Sequence, residues 1–74
     1  MPTQNLDVKG LSCPLPILRA KKALQTMTLG DVLAVEATDP ASAKDFESFC
    51  VQTGHHLLLA EEKSGVFSFE IQKN

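Results

Sequence analysis

The chain has 74 residues, 43% of them hydrophobic, with two cysteines and a net charge of −2. That suffices for one modest core, so residues 1–74 are expected to form one domain, and two cysteines exclude a secreted, disulfide-dense scaffold. No apolar run approaches the ~18 residues of a membrane span, and Met-Pro-Thr-Gln-Asn-Leu-Asp lacks the basic-then-apolar order of a signal peptide, which points to a reduced, cytoplasmic protein.

The first strand is expected over Asn5–Lys9, with Leu6 and Val8 facing the core, followed by a loop, Gly10-Leu-Ser12. Cys13-Pro14-Leu15-Pro16 then opens a helix running from Pro14 to about Met27. Proline is tolerated in a helix only within the first turn, where its missing N–H has no partner to lose. Two prolines two residues apart therefore fix the helix start and make Cys13 its N-cap, held out of the α region by the following proline. The Leu15 amide is the donor left for the sulfur.

A cysteine at a helix N-terminus faces the positive end of the helix dipole, which favours thiolate over thiol. Free cysteine titrates near 8.5, and such sites fall to roughly 3.5–7.5. Cys13 thus reads as an exposed nucleophile. The competing reading is a buried structural cysteine, a common fate of this residue type, but the double proline and polar Ser12 argue against it.

Along the first helix, Ile17, Ala20, Leu24 and Met27 form one apolar stripe. Leu15 and Leu18 fall off it, as a docking patch beside the cysteine or as ordinary exposed leucines. Lys21 lies nearest the edge of the stripe and Lys22 farther out. Leu29-Gly30-Asp31 turns the chain into a second strand, Val32–Ala37, with Leu33, Val35 and Ala37 on one face and enough apolar content for a central position.

Asp39 is the expected N-cap of a second helix, with Pro40 at its first position and Gly54 as its stop after Thr53. Phe46, Phe49 and Cys50 share a face with Ser42 and Thr53, so Cys50 reads as core. His55-His56 opens a third strand through Ala60. Cys50, His55 and His56 could be imagined around a metal, but the ligand number and spacing of a zinc site are missing, so no metal and no cofactor are expected. Glu62-Lys-Ser-Gly65 reads as a hairpin turn. In the last strand, Val66–Gln72, Phe67, Phe69 and Ile71 alternate with Ser68, Glu70 and Gln72.

The order β-α-β-α-β-β, with right-handed crossovers, gives an α/β (α+β) two-layer sandwich: two helices on one face of a four-stranded mixed sheet. Cys13 would lie at the carboxyl end of the first strand, where open α/β sheets place their ligands. From Val8 to Gly30 the chain carries Lys9, Arg19, Lys21 and Lys22 and no acid, while the remainder holds three basic and nine acidic residues. A basic surround suits a sulfur anion and an acidic docking partner. The acidic total, without Trp or Tyr for stacking, gives little support for direct nucleic-acid binding.

Gly10-Leu-Ser-Cys-Pro-Leu-Pro-Ile-Leu-Arg-Ala-Lys-Lys-Ala-Leu24 resembles the signature of the TusA-like (SirA-like) sulfur carriers, whose mark is Cys-Pro-x-Pro at the start of the first helix. Gly30-Asp31, Thr38-Asp39-Pro40, Asp45-Phe46, Phe49-Cys50 and Gly54-His55 also match, so the resemblance covers nearly the whole chain. It implies the same two-layer fold and a persulfide carried on Cys13 and relayed between proteins. It further implies a donor of cysteine desulfurase or rhodanese type, acceptor relay proteins, and a sulfurtransferase-type relay rather than an enzyme turning over alone. Leu15 stands where tRNA-thiolation members often have an acidic residue, so tRNA thiolation, sulfur oxidation and molybdenum-cofactor maturation all stay open. Leu15, Leu18, Arg19, Lys21 and Lys22 are the expected partner-binding residues of a monomeric carrier.

A Cys-x-x-Cys oxidoreductase would need a second sulfur where Pro16 stands, and a cysteine hydrolase would need a histidine base near Cys13, for which the spacing gives no argument. The alternatives to a carrier are a redox-sensing or regulatory interaction module using Cys13 and a purely structural domain.

Overall fold

A computed structural model describes residues 3–74; Met1 and Pro2, at the head of the stretch read as no signal peptide, lie outside the described residues. The elements are β1 (Thr3–Val8), α1 (Leu15–Gln25), β2 (Val32–Ala37), α2 (Ser42–Thr53), β3 (His56–Lys63) and β4 (Val66–Gln72). The sheet order is β1-β2-β4-β3, with β1 parallel to β2 and β4 antiparallel to both its neighbours. The expected two-layer α+β sandwich with a mixed sheet is the fold, and β2 takes the expected central place.

The sequence pattern explains the core. Leu33, Val35 and Ala37 of β2 and Phe69 and Ile71 of β4 point to one face and are fully buried beneath the helices. From α2, Phe46 lies across Phe69 with ring centroids 4.7 Å apart, and Phe49 and Cys50 close the same layer. Complete burial of a ring such as Phe46 contributes about 2–3 kcal/mol. Cys50 is core, as its neighbours implied. In α1, Ala20 and Leu24 are buried with Met27 just beyond the helix, whereas Ile17 is half-buried and Pro16 takes the inner place at the helix start.

Several boundaries differ from expectation. β1 begins at Thr3 and ends at Val8, because Lys9 and Gly10 already form a turn. β3 starts one residue later than expected and runs to Lys63, since the hairpin needs only Ser64-Gly65, both at positive φ. A bulge between Leu57 and Leu59 shifts the register, turning Leu57 toward the helices and Leu59 toward the uncovered face. Gly54 ends α2 in the left-handed region at φ 81°, its N–H donating to the Cys50 carbonyl at 2.9 Å, as a glycine stop should. At the end of α1 the ammonium of Lys73 donates to the carbonyls of Leu24 (2.6 Å) and Met27 (2.8 Å).

Candidate functional site

Parallel pairing sets Val8 beside Ala37, so the connections that leave β1 and β2 run side by side at one end of the sheet. The first carries Cys13 and the second Thr38 and Asp39. Gly10 turns at φ 84°, and the Leu11 N–H donates to the Val8 carbonyl at 3.2 Å. Two further amides of this loop are held from across the gap: Gly10 N–H donates to Thr38 Oγ1 and Cys13 N–H to Asp39 Oδ2, each at 2.9 Å. The other carboxylate oxygen, Oδ1, accepts the Ala41 N–H at 3.3 Å.

Cys13 is not the cap of α1. The Cys13–Pro14 peptide is cis, Pro14 is the N-cap, and Leu15 and Pro16 are the first helical residues. The Leu15 amide donates to the Ser12 carbonyl at 2.9 Å and so is spent on the backbone, not on sulfur. Asp39 likewise is not the cap of α2. Pro40 and Ala41 form a turn closed by Ser42 N–H to the Asp39 carbonyl at 3.0 Å, and the helix proper starts at Ser42 behind Ala41. The Asp39 side chain is divided between the two connections instead.

The charge around the sulfur also differs. Asp45, in the first turn of α2, acts on the Cys13 thiol: its side chain first, then partial shielding from water and the charges of Asp45 and Asp39, hold the thiol above its ordinary pKa. The expected thiolate-favouring field is therefore reversed. The basic count between Val8 and Gly30 is correct, but the nearest charges come from the β2–α2 corner, and the helix-end field fades within a turn. Among the described residues neither Asp39 nor Asp45 has an ion-pair partner, since the ion pairs join Lys9 to Asp7 (4.0 Å) and Glu36 (3.6 Å).

Cys13 is exposed and Cys50 buried, both as free thiols; burial pushes Cys50 up as well. Leu15 and Leu18 are exposed at 43% and 53%. At helical spacing, Leu15, Leu18, Arg19 and Lys22 share one face. Arg19 and Lys22 border a hollow with Leu6, Ala23 and Thr26, whereas Lys21 borders a different one, of about 210 Å³, with Phe49, Thr53, His55 and Lys73. The five expected docking residues thus separate into a set of four beginning next to Cys13 and Lys21 on the α2 side.

The histidines lie elsewhere. His55 follows the end of α2, packed on Phe49 with ring centroids 5.9 Å apart, and its Nδ1 accepts the Asn74 N–H at 3.0 Å. Burial, then Lys73 and His56, lowers its pKa. A twelve-residue helix is roughly 18 Å long, and Asp45 at its start is the end facing Cys13. Cys50, His55 and His56 border one shallow hollow, but among the described residues no three His, Cys, Asp or Glu side chains are placed to hold a metal. Among the described residues no helix is long and apolar enough to cross a membrane.

The residues missed in sequence, Thr38 as a partner of the Cys13 loop and Asp39 and Asp45 as groups acting on Cys13, had one available signal: Thr38 and Asp39 follow the carboxyl end of a strand parallel to β1.

The family model described as sulfurtransferase TusA matches residues 4–73. The chain belongs to the TusA sulfurtransferase family. A candidate sulfur carrier protein of Neisseria meningitidis is 61% identical over 72 residues, 97% of each chain. The sulfur carrier protein TusA of Allochromatium vinosum is 56% identical over 71 residues, covering 96% of this chain and 93% of that one. The crystal structure of a SirA-like protein from Desulfitobacterium hafniense superposes with a TM-score of 0.79 at 31% identity, over 97% of this chain and 96% of that one. TusA membership makes sulfur relay the function of this chain and sulfur-relay proteins its partners.

Proposed function

We propose that Cys13 is the sulfur-bearing residue and that it carries sulfur as a persulfide. The observation that supports this most is the contrast between the two thiols: Cys13 stands exposed at a loop–helix junction and Cys50 is buried in the core. In loading, Cys13 sulfur attacks the outer sulfur of a donor persulfide. A new S–S bond forms on Cys13, the donor S–S bond breaks, and the donor cysteine leaves as a thiolate that takes up the proton lost by Cys13. Delivery repeats the exchange with an acceptor thiol. The donor is a cysteine desulfurase or rhodanese-like protein, the acceptor another relay protein, and the setting cytoplasmic. Leu15, Leu18, Arg19 and Lys22 form the docking face, with Lys21 at its margin; the carrier acts as a monomer, with no direct nucleic-acid contact.

The raised pKa of Cys13 argues against the redox-sensor alternative, because sensor cysteines are low-pKa thiolates. A resting thiol suits a carrier, which needs the anion only when a donor is docked. Incubation with a desulfurase and cysteine, or with a rhodanese and thiosulfate, followed by intact mass and peptide mapping, tests the proposal. One reductant-labile sulfur on Cys13, absent in Cys13→Ser, is the expected result; sulfur on Cys50, or none on the wild type, overturns it.

A further inference from the structure

We propose that Thr38 and Asp39 are positioning residues for sulfur transfer: from the β2–α2 connection they pin the Cys13 loop at two points and so fix the direction in which the sulfur leaves the surface. This rests on Cys13 being the carrier. The loop has few anchors of its own. Lys9 N–H is taken by the Asp7 side chain, Leu11 N–H by the Val8 carbonyl, and Leu15 N–H by the Ser12 carbonyl. Each of these closes a local turn; beyond them, Leu11 packs partly buried against the core and the Lys9 ammonium pairs with Glu36 of β2 at 3.6 Å. The two hydrogen bonds that tie its backbone to the rest of the fold, among the described residues, are Gly10 N–H to Thr38 Oγ1 near its start and Cys13 N–H to Asp39 Oδ2 at the sulfur residue itself, both 2.9 Å.

Two fixed points in a loop this short define an orientation, where one would define only a position. The anchors are themselves held. Thr38 directly follows β2, whose last residue pairs with the last residue of β1, and Asp39 is fixed by its own Oδ1 on Ala41 N–H and by its carbonyl on Ser42 N–H. The amide of Cys13, one bond from the Cα that bears the sulfur side chain, is therefore referenced to the start of α2. Orientation matters because an S–S exchange requires the attacking sulfur in line with the bond it breaks, and a shift of ~1 Å in a reacting group costs on the order of 100-fold in rate. A small freely diffusing alkylating agent makes no such demand.

That difference supplies the test. Thr38→Val, Thr38→Ser and Asp39→Ala in the full chain are compared with wild type by the rate of sulfur transfer from a thiosulfate-charged rhodanese and by the rate of iodoacetamide alkylation at high pH, where Cys13 is fully ionised. Thr38→Val removes the oxygen at nearly constant shape and keeps the chain folded if Asp39→Ala, which also loosens the start of α2, does not. Transfer falling roughly 10- to 100-fold in Thr38→Val, restored by Thr38→Ser, with high-pH alkylation within about twofold of wild type, is the expected result. Transfer unchanged in Thr38→Val, a loss that serine fails to restore, or alkylation falling in parallel overturns the positioning role while wild type still loads. Failure of wild type to load rejects the carrier reading and this role together.

Discussion

Asp45, in α2, is the chief cause that holds the thiol of Cys13 above its ordinary pKa, although α1 and β2 separate the two residues in sequence. The neutral thiol is thereby favoured, because the anion that would replace it would face two carboxylates, Asp45 and Asp39. Cys13 is thus a guarded nucleophile at rest.

Asp45→Asn removes the principal cause of the raised pKa, so the Cys13 pKa falls and a larger fraction is thiolate at neutral pH. The iodoacetamide rate at pH 7 should rise several-fold, while rates well above the thiol pKa should converge with wild type. A pH–rate profile of single-site alkylation checks both limbs; coincident profiles would show that Asp45 does not set the sulfur's ionisation.

The two cysteines share a direction of shift and differ in access. Both are raised, Cys13 by Asp45 and its surroundings and Cys50 by burial. Limiting iodoacetamide should label Cys13 first at every pH, because Cys50 is only 5% exposed. Since neither thiol is favoured as thiolate, lowering the pH should slow both without widening the gap. Unfolding should equalise the sites and make Cys13 itself react faster at pH 7 than in the folded chain, as its carboxylate neighbours disperse. Peptide mapping of native and denatured samples measures this.

Arg19 and Lys22 share the helix face that begins beside Cys13, and Lys21 does not. Arg19→Glu/Lys22→Glu should slow association-limited transfer with an acidic partner by about tenfold or more at low salt, with the difference shrinking as salt rises. Lys21→Glu should do much less. Stopped-flow transfer across a salt series decides it, and equal effects of the two variants would reject the division.

Lys73 ties the last residues of the chain to the end of α1 by donating to the carbonyls of Leu24 and Met27. Lys73→Met keeps the stem and the backbone bonds to Gly30 and Asp31 but removes both charge-assisted bonds and the favourable charge at the helix terminus. A loss of about 1–3 kcal/mol is expected, read as a lower midpoint in urea unfolding with an unchanged slope.

The regular elements were legible because their signals are local. Alternation in Val32–Ala37 and Val66–Gln72 gave both central strands, and Gly54 marked the end of α2. Cys13 was legible as an exposed thiol because Pro14 and Pro16 punctuate the chain there. Its ionisation was not, because that depends on Asp39 and Asp45, which reach it only through the parallel pairing of β1 with β2. Counting charge along the chain picked out the basic run, yet folding divides Lys21 from Arg19 and Lys22 and brings acids to the sulfur. The bulge in β3 was equally hidden: Leu57-Leu58-Leu59 has no period to violate, so only its pairing with β4 reveals the extra residue.

That extra residue matters for how the protein behaves in a crowd. β3 closes one side of the sheet, and among the described residues one row of its backbone N–H and C=O groups has no neighbouring strand. A flat, leucine-rich margin of this kind is a template on which copies can stack into fibrils. The bulge at Leu58 kinks the margin where it is most apolar, and Glu61, Glu62 and Lys63 charge the remainder. So kinked and charged a margin makes a poor template for a strand from a second copy.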